Sequence, residues 1–419
     1  MRKRRQETGV RSHEGAAAAW ILTSVFCLLT PCFAQDFSQR GFLETGVFLF
    51  PQTAPNDSGR AIGESLLRYE AFYKLFAGLE LEGGIDAYFD THGESDREIG
   101  LSFWDRGTRR PSFAVRRLSA SYHHGKLSLE AGKQFIRWGK TDILAPTDRF
   151  APRDFLNVVD ADYLAVTAAR ATYGTQANTI DVVFEPRLTP SRVPLLNQRW
   201  AVLPAGIPFT DEAPVFPGGP QFGARWNHIG VRAEYSFSFY NGDDNLPLYR
   251  AVLRPAAVGL RRFYPQMRMY GADAALPLRW LTVKAEAGYF TSTTPEADHY
   301  ALYVLQLERQ AGEWSFVAGY AGQAVVQHGT AIAYSPERGL ARSLVGRAAY
   351  TVDTNRSVEI ETVVRENGAG FYVKPAWSQA LGQHWRVTAG FALIRGRGGD
   401  FLGQYHRNSF AVLTARYSF

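Results

Sequence analysis

Two cysteines, Cys27 and Cys32, are all that this chain of 419 residues holds, and both fall in its first 34 positions. The rest has none, so it carries neither a disulfide framework nor thiolate chemistry. That suits an oxidising compartment in which nothing needs stapling. Long hydrophobic runs are missing as well. After residue 34 no stretch of about 18 apolar residues occurs, which excludes helical membrane spans. A surplus of one charge is also largely absent: the formal +6 falls to +3 without the first 34 residues, which hold five Lys/Arg and two Asp/Glu. Nucleic-acid partners gain no support from that balance.

The first residues have the form of a targeting segment. Arg2, Lys3, Arg4 and Arg5 make a basic start, Ala16 to Leu29 an apolar stretch, and Cys32-Phe33-Ala34 a small-x-small ending. This predicts a cleaved signal peptide over 1–34 and an exported chain from Gln35. An uncleaved anchor and a lipid-modified Cys32 are the alternatives, disfavoured by Pro31 and by Thr30-Pro31 before the cysteine.

What the remainder does have is short alternating runs rich in Phe, Tyr, Trp, Val and Thr, the composition of strands. In Leu79 to Asp90, Leu79, Leu81, Ile85, Ala87 and Phe89 share one face, and Glu80, Glu82, Asp86 and Tyr88 the other. Ile229 to Tyr240 and Leu281 to Phe290 alternate likewise. Tight links near Ala77-Gly78, His124-Gly125, Gly174-Asn178, Asn227-Gly230, Leu276-Arg279, Ala311-Gly312, Asp353-Arg356 and Leu381-Gln383 take turns with long ones, Asn367-Gly368 being the short exception. Alternating turns and loops are the plan of an outer-membrane barrel. The expected fold is therefore all-β: one transmembrane antiparallel β-barrel over 35–419, of about 18 strands, or about 16 if the weak run Phe222-Trp226 is discounted.

The last strand agrees. Leu413, Ala415, Tyr417 and Phe419 share a face, and an aromatic ending resembles the signal read by the bacterial barrel-assembly machinery, with Tyr417 and Phe419 as its carriers. Further aromatics near strand ends (Tyr69, Tyr73, Tyr289, Trp314, Tyr320, Trp377, Trp385) suit the girdles at the two lipid interfaces.

One stretch breaks the alternation. Gly132 to Asn157 carries two Pro-x-Asp units, Pro146-Thr147-Asp148 and Pro152-Arg153-Asp154, among aromatic and aliphatic anchors. Proline fixes φ and gives no donor, so the segment cannot be a central strand. It enters from a strand-like run, Leu127 to Phe135, and Trp138 to Asn157 is expected to fold back into the barrel as its constriction. Arg137, Trp138, Lys140, Asp142, Asp148, Arg149, Arg153 and Asp154 are its candidate residues, cations facing carboxylates across a narrow gap. A packed external loop with aspartate-capped turns is the alternative. Glu80, Glu82, Asp86, Glu130, Arg232, Glu234, Lys284, Glu286, Glu359, Glu361 and Arg386 are the expected lumen wall.

Trp138-Gly139 with Asp142, Asp148 and Pro152-Arg153-Asp154 resembles the signature of a porin-like outer-membrane barrel family, many members of which are known only as domains of unknown function. Phe239 to Asp244 with Pro247, Tyr270 to Asp273, Lys284 to Phe290 and Lys374-Pro375 extend the resemblance over most of the chain. It implies the fold and a channel. Lys140 stands where family members often carry an acidic residue.

Catalytic patterns are not found. Gly139-Lys140-Thr141 imitates a phosphate loop, but Gln134 occupies the required glycine, and there is neither a His-Glu-x-x-His helix nor a Gly-x-Ser-x-Gly elbow. His123-His124 reads as a solvated turn, and Asn241 to Asn245 as a polar loop tip. The expectation is a passive channel for small solutes, not an enzyme, with no cofactor or metal and with outer-membrane lipids as surroundings. The rival is a conduit for hydrophobic or lipid-like molecules, suggested by the apolar loop Pro186-Pro220, or a closed structural barrel.

Overall fold

The computed structural model describes residues 36–204 and 206–419. The leader and both cysteines lie outside them. One antiparallel sheet closes on itself. Its strands are β1 (Phe37–Leu49), β2 (Ala61–Phe76), β3 (Leu79–Asp90), β4 (Phe113–His124), β5 (Leu127–Gln134), β6 (Val166–Gly174), β7 (Asn178–Glu185), β8 (Gln221–Ile229) and β9 (Glu234–Asp243). They continue as β10 (Gln266–Pro277), β11 (Thr282–Thr291), β12 (His299–Ala311), β13 (Trp314–Gln327), β14 (Ser343–Asp353), β15 (Arg356–Arg365), β16 (Gly370–Leu381), β17 (Trp385–Gly396) and β18 (Phe410–Ser418). Of the 19 strands in the sheet, only the two-residue Leu101–Ser102, which runs parallel to β4, is not part of the wall, leaving eighteen. β18 pairs back onto β1, Phe42 opposite Ser418 and Leu49 opposite Ala411. The weak run 222–226 is strand β8, which settles the count.

Sequence neighbours are sheet neighbours throughout, so tight turns alternate with long loops. Four of the turns place a glycine at positive φ (Gly78, Gly125, Gly312, Gly382), which side chains other than glycine rarely adopt. Burial is inverted relative to a soluble protein. Leu81, Ile85 and Phe89 of β3 stand exposed on the outer face, whereas Asp86 between them is 2% exposed. A closed sheet with this polarity leaves no backbone edge for lipid, the condition for spanning a bilayer with strands. Trp226, Tyr235, Trp280, Trp314, Trp385 and Phe419 lie exposed near the turn end, an interfacial girdle.

The run Ile229 to Tyr240 is not one strand. A turn at 230–233, closed by Gly230 N–H donating to Ala233 O, interrupts it. Its apolar alternation continues by chance of composition, with Val231 fully exposed.

At the long-loop end, a four-stranded sheet of Phe209–Val215, Val258–Phe263, Leu248–Leu253 and Ile332–Ala333 ties three loops together. The loop 186–220 is fastened to its neighbours: Asn56 Nδ2 donates to Leu196 O and Gln198 O, and Asn408 Nδ2 to Arg199 O. Its Leu188, Val193 and Trp200 are buried in that packing, while Val202 and Ile207 stay exposed.

Candidate functional site

The largest apolar core lies inside the barrel, between its wall and the loop 135–165. Ile136, Trp138, Leu144 and Phe150 of the loop pack on Val183, Tyr240, Met269, Phe290, Leu302 and Ala321 of the wall. Trp138, Phe150 and Tyr240 meet edge to face, with centroids 5.4 and 5.2 Å apart. Room for this comes from glycines on the inner faces of β8, β10 and β13. A Cβ at Gly223 would lie 2.5 Å from Phe150 and 2.7 Å from Trp138; at Gly271, 2.7 Å from Thr147; at Gly319, 2.7 Å from Ile143.

Polar groups fix the register. Glu286 on β11 accepts from Lys140 N–H (2.8 Å), from Thr141 N–H and Oγ1 (3.0 and 2.9 Å), and from Thr147 N–H and Oγ1 (2.9 and 2.8 Å). Gln306 on β12 accepts from Asp142 and Ile143 N–H and donates to the Asp142 carboxylate at 2.8 Å. Trp138 Nε1 donates to Asp181 on β7 at 2.9 Å. Lys140 reaches the opposite way, 2.9 Å from Glu234 and 3.0 Å from Asp273.

The candidate loop residues thus separate into two sets. Asp148, Arg149 and Asp154, expected across an open gap, are packed away. Asp148 clamps the loop internally, accepting from Trp138 and Gly139 N–H at 2.6 and 2.7 Å and pairing Arg137 at 3.1 Å. Arg149 is buried, 3.2 Å from Glu337 of the loop 328–342. Asp154 sits 3.0 Å from Arg110 and 2.9 Å from Arg192. Burial alone would raise its pKa, but those two guanidiniums outweigh it and hold the carboxyl below its ordinary range. The reason for the difference is physical: a charge docked against a barrel wall is desolvated, and it needs a partner within reach. Arg137, Asp142 and Arg153 keep solvent access. Arg137 and Arg153 clasp the Tyr163 ring from 4.3 and 4.4 Å.

On the wall, Glu82, Asp86, Glu130, Glu234, Lys284, Glu286, Glu359 and Glu361 face inward, as does Arg386, whose guanidinium donates to Ser378 Oγ at 3.4 Å. Glu80 shares the face of Glu82. Lys284 is 2.5 Å from Glu308 and 3.7 Å from Asp142. Arg232 is not on the wall: it lies exposed in the turn 230–233. Phe419 closes the seam, its N–H and C=O both bonded to Gly41 at 3.0 Å, and the Tyr417 ring meets that of Trp385 at a tilt, centroids 5.1 Å apart.

Other participants escaped the sequence reading. A turn at 157–160, in which Asn157 Oδ1 accepts from Val159 N–H, pushes Val158, Val159 and Asp160 into the lumen. Asp160 and Asp162 have side chains 62% and 58% exposed. Facing them are Lys374, 3.9 Å from Asp160, and Arg68 and Arg116, 3.1 and 3.7 Å from Asp162. Arg116 and Arg117 are consecutive, yet both point inward because the β3–β4 ladder slips one residue between them. Strict alternation hid them. Two cavities of about 350 Å³ each meet at this turn, both lined by Asp160, Ala161 and Lys374. One is rich in carboxylates (Glu44, Glu64, Asp90), the other in aliphatic side chains.

No family model and no curated protein matches the chain. Solved structures do. A BenF-like porin from Pseudomonas fluorescens is similar at TM-score 0.56 and 10% identity, over 92% of this chain and 98% of that one. The fold is that of a porin. OccAB4 and OccAB3 of Acinetobacter baumannii are similar at TM-score 0.55 each, with 9% and 10% identity, over 92% of this chain and 98% and 99% of theirs. At such identities the likeness concerns the fold alone.

Proposed function

We propose that the chain is an outer-membrane porin, a passive channel for small solutes, reaching that membrane through its leader and the barrel-assembly machinery. The observation that carries this reading is the arrangement around the 157–160 turn. A loop held by Glu286 and Gln306 narrows the lumen without filling it, and leaves the solvated carboxylates of Asp160 and Asp162 facing the partly buried cations Lys374, Arg68 and Arg116. Fixed charges in a confined, partly dehydrated passage act strongly on ions. A closed scaffold barrel has no use for carboxylates with more than half of their side-chain surface open to the lumen. The rival reading, a conduit for lipid-like molecules, draws on the apolar loop 186–220, of which Leu188, Val193 and Trp200 are buried in packing while Val202 and Ile207 stay exposed. Planar-bilayer recording of the purified protein is the test. Stable ohmic steps are expected, and a silent protein of intact β-type circular dichroism would overturn the proposal.

A further inference from the structure

At the turn end of the wall, Trp280 stands in the tight turn between β10 and β11 with 67% of its surface exposed. Two guanidiniums, that of its neighbour Arg279 and that of Arg309 on β12, each lie 5.8 Å from the centre of its ring. Arg309 is directed outward. Along β12 the residues Tyr303, Leu305 and Leu307 are exposed on the lipid face, while Val304 and Gln306 are buried on the inner one. Its ladder partner Phe316 is exposed as well. Neither arginine forms an ion pair or a side-chain hydrogen bond among the described residues. By contrast Arg40 and Arg356, near the same end, pair with Glu70 and Asp353 at 2.8 and 2.5 Å. The carboxylates nearest in sequence give no relief: Asp273, Glu286 and Glu308 face inward, and Glu313 in the next turn makes no ion pair among the described residues. Two like charges gathered at one ring repel each other, and an anion brought between them removes that repulsion.

We propose that Arg279, Trp280 and Arg309 form a binding site for the headgroup of an anionic glycerophospholipid in the periplasmic leaflet. The tight turns of such a barrel lie on the periplasmic side, which puts the three residues at headgroup depth there. A guanidinium matches phosphate oxygens with two parallel N–H donors, and the amphipathic indole suits the same depth. Beyond the headgroup, Leu276, Val283 and Leu307 form one row across β10, β11 and β12, and with Leu305 they continue an apolar track toward the bilayer core for the acyl chains. A zwitterionic headgroup would bring its own ammonium to two guanidiniums, so a net negative one is favoured. The site is on the outer wall and does not depend on what the channel passes.

The test adds phosphatidylglycerol and phosphatidylcholine of the same chains, in equal amounts, to the full barrel in detergent and reads the bound lipid by native mass spectrometry. Phosphatidylglycerol should be retained over phosphatidylcholine by about fivefold or more, the factor that follows from the pull between one basic residue and an anionic surface. Arg279→Gln combined with Arg309→Gln should bring the ratio close to one. A second measurement locates the lipid without touching either arginine. In nanodiscs, phosphatidylglycerol brominated near its headgroup should quench more fluorescence in the unaltered protein than in Trp280→Phe, and brominated phosphatidylcholine should separate the two proteins less. Glycerol phosphate, a soluble form of the same anion, should leave the lipid bound. The proposal is overturned if the unaltered barrel retains both lipids equally, if the double variant keeps the preference, if the two brominated lipids quench Trp280 alike, or if glycerol phosphate displaces the lipid.

Discussion

Glu286 holds the inserted loop by five hydrogen bonds, and its removal would orphan donors spread over Lys140, Thr141 and Thr147. Hydrogen bonds to a charged acceptor contribute about 1.5–3 kcal/mol each, without being additive. Glu286→Ala is therefore expected to free the loop while the wall remains closed. Single-channel conductance should rise and become noisy, trypsin should gain access at Lys140, and the β-type spectrum should persist. Unchanged conductance would show that the loop is held by its apolar anchors alone. Asp160 makes a different prediction. It is the more exposed carboxylate at the narrowing, so Asp160→Asn should shift the reversal potential toward anion preference in about 0.1 M salt and much less at about 1 M, where the Debye length shrinks to about 3 Å. Strand period alone was enough to identify Glu286 as an inward carboxylate. Its partners were not legible, because a hydrogen bond between residues 140 and 286 leaves no mark in local pattern. Asp160 was missed for a related reason: a turn of four residues has no period.

At the scale of elements, the alternation of tight turns and long loops was readable because glycine, asparagine and proline punctuate it, and the eighteen strands follow. The tertiary use of the loops was not. Loop 91–112 docks through Arg110, which reaches Asp154 of the inserted loop at 3.0 Å while pairing Glu94 of its own loop at 3.0 Å, and Arg192 joins Asp154 to Asp105. Glu94 faces Arg110 but also Asp154, Asp90 and Glu64 of β2. Burial pushes its carboxyl up to about 7 from an ordinary 4.5, and Arg110 only partly opposes that rise. A carboxyl that titrates higher when docked than when free holds its proton more tightly in the docked loop. Docking is accordingly unaffected below about pH 4.5 and weakens as pH rises through about 7. Limited proteolysis at Arg97 and Arg109 should quicken as the pH is raised from about 5 to about 8. Glu94→Gln should weaken the dependence toward the slow rate, and an undiminished dependence in that variant would refute the assignment. The glycine track gives a pH-independent companion. Gly223→Leu places atoms where Phe150 and Trp138 now lie, so the loop must shift off the wall, and conductance should change in the same direction as in Glu286→Ala.

For the whole molecule the decisive contact is the seam. Every other pair of neighbouring strands is joined by a turn or loop, but β1 and β18 are the two extremes of the wall and meet only through their ladder and side chains. The alternation in Phe410 to Phe419 foretold a lipid-facing last strand. It did not foretell which residue of β1 would receive it, since register across a seam is set by the closure of all the other strands together. Phe419 exchanges both backbone bonds with Gly41, and its ring covers the glycine so closely that a Cβ there would lie 2.6 Å from it and 2.7 Å from the Arg68 carbonyl. On the inner side Arg416 pairs with Glu44 at 2.6 Å. Gly41→Leu should thus push the last residue off the seam and break its two backbone bonds to Gly41 at the edge of the bilayer. The compact, heat-modifiable band on gels should be lost at a temperature several degrees lower, or never form. Gly46→Ala, in the same strand and pairing with the same partner, is the control: a Cβ there meets Thr414 Oγ1 at 3.5 Å, an ordinary contact. Equal loss of the compact band in both variants would mean that β1 tolerates no side chain at either glycine, and that Phe419 has no special part in closing the barrel.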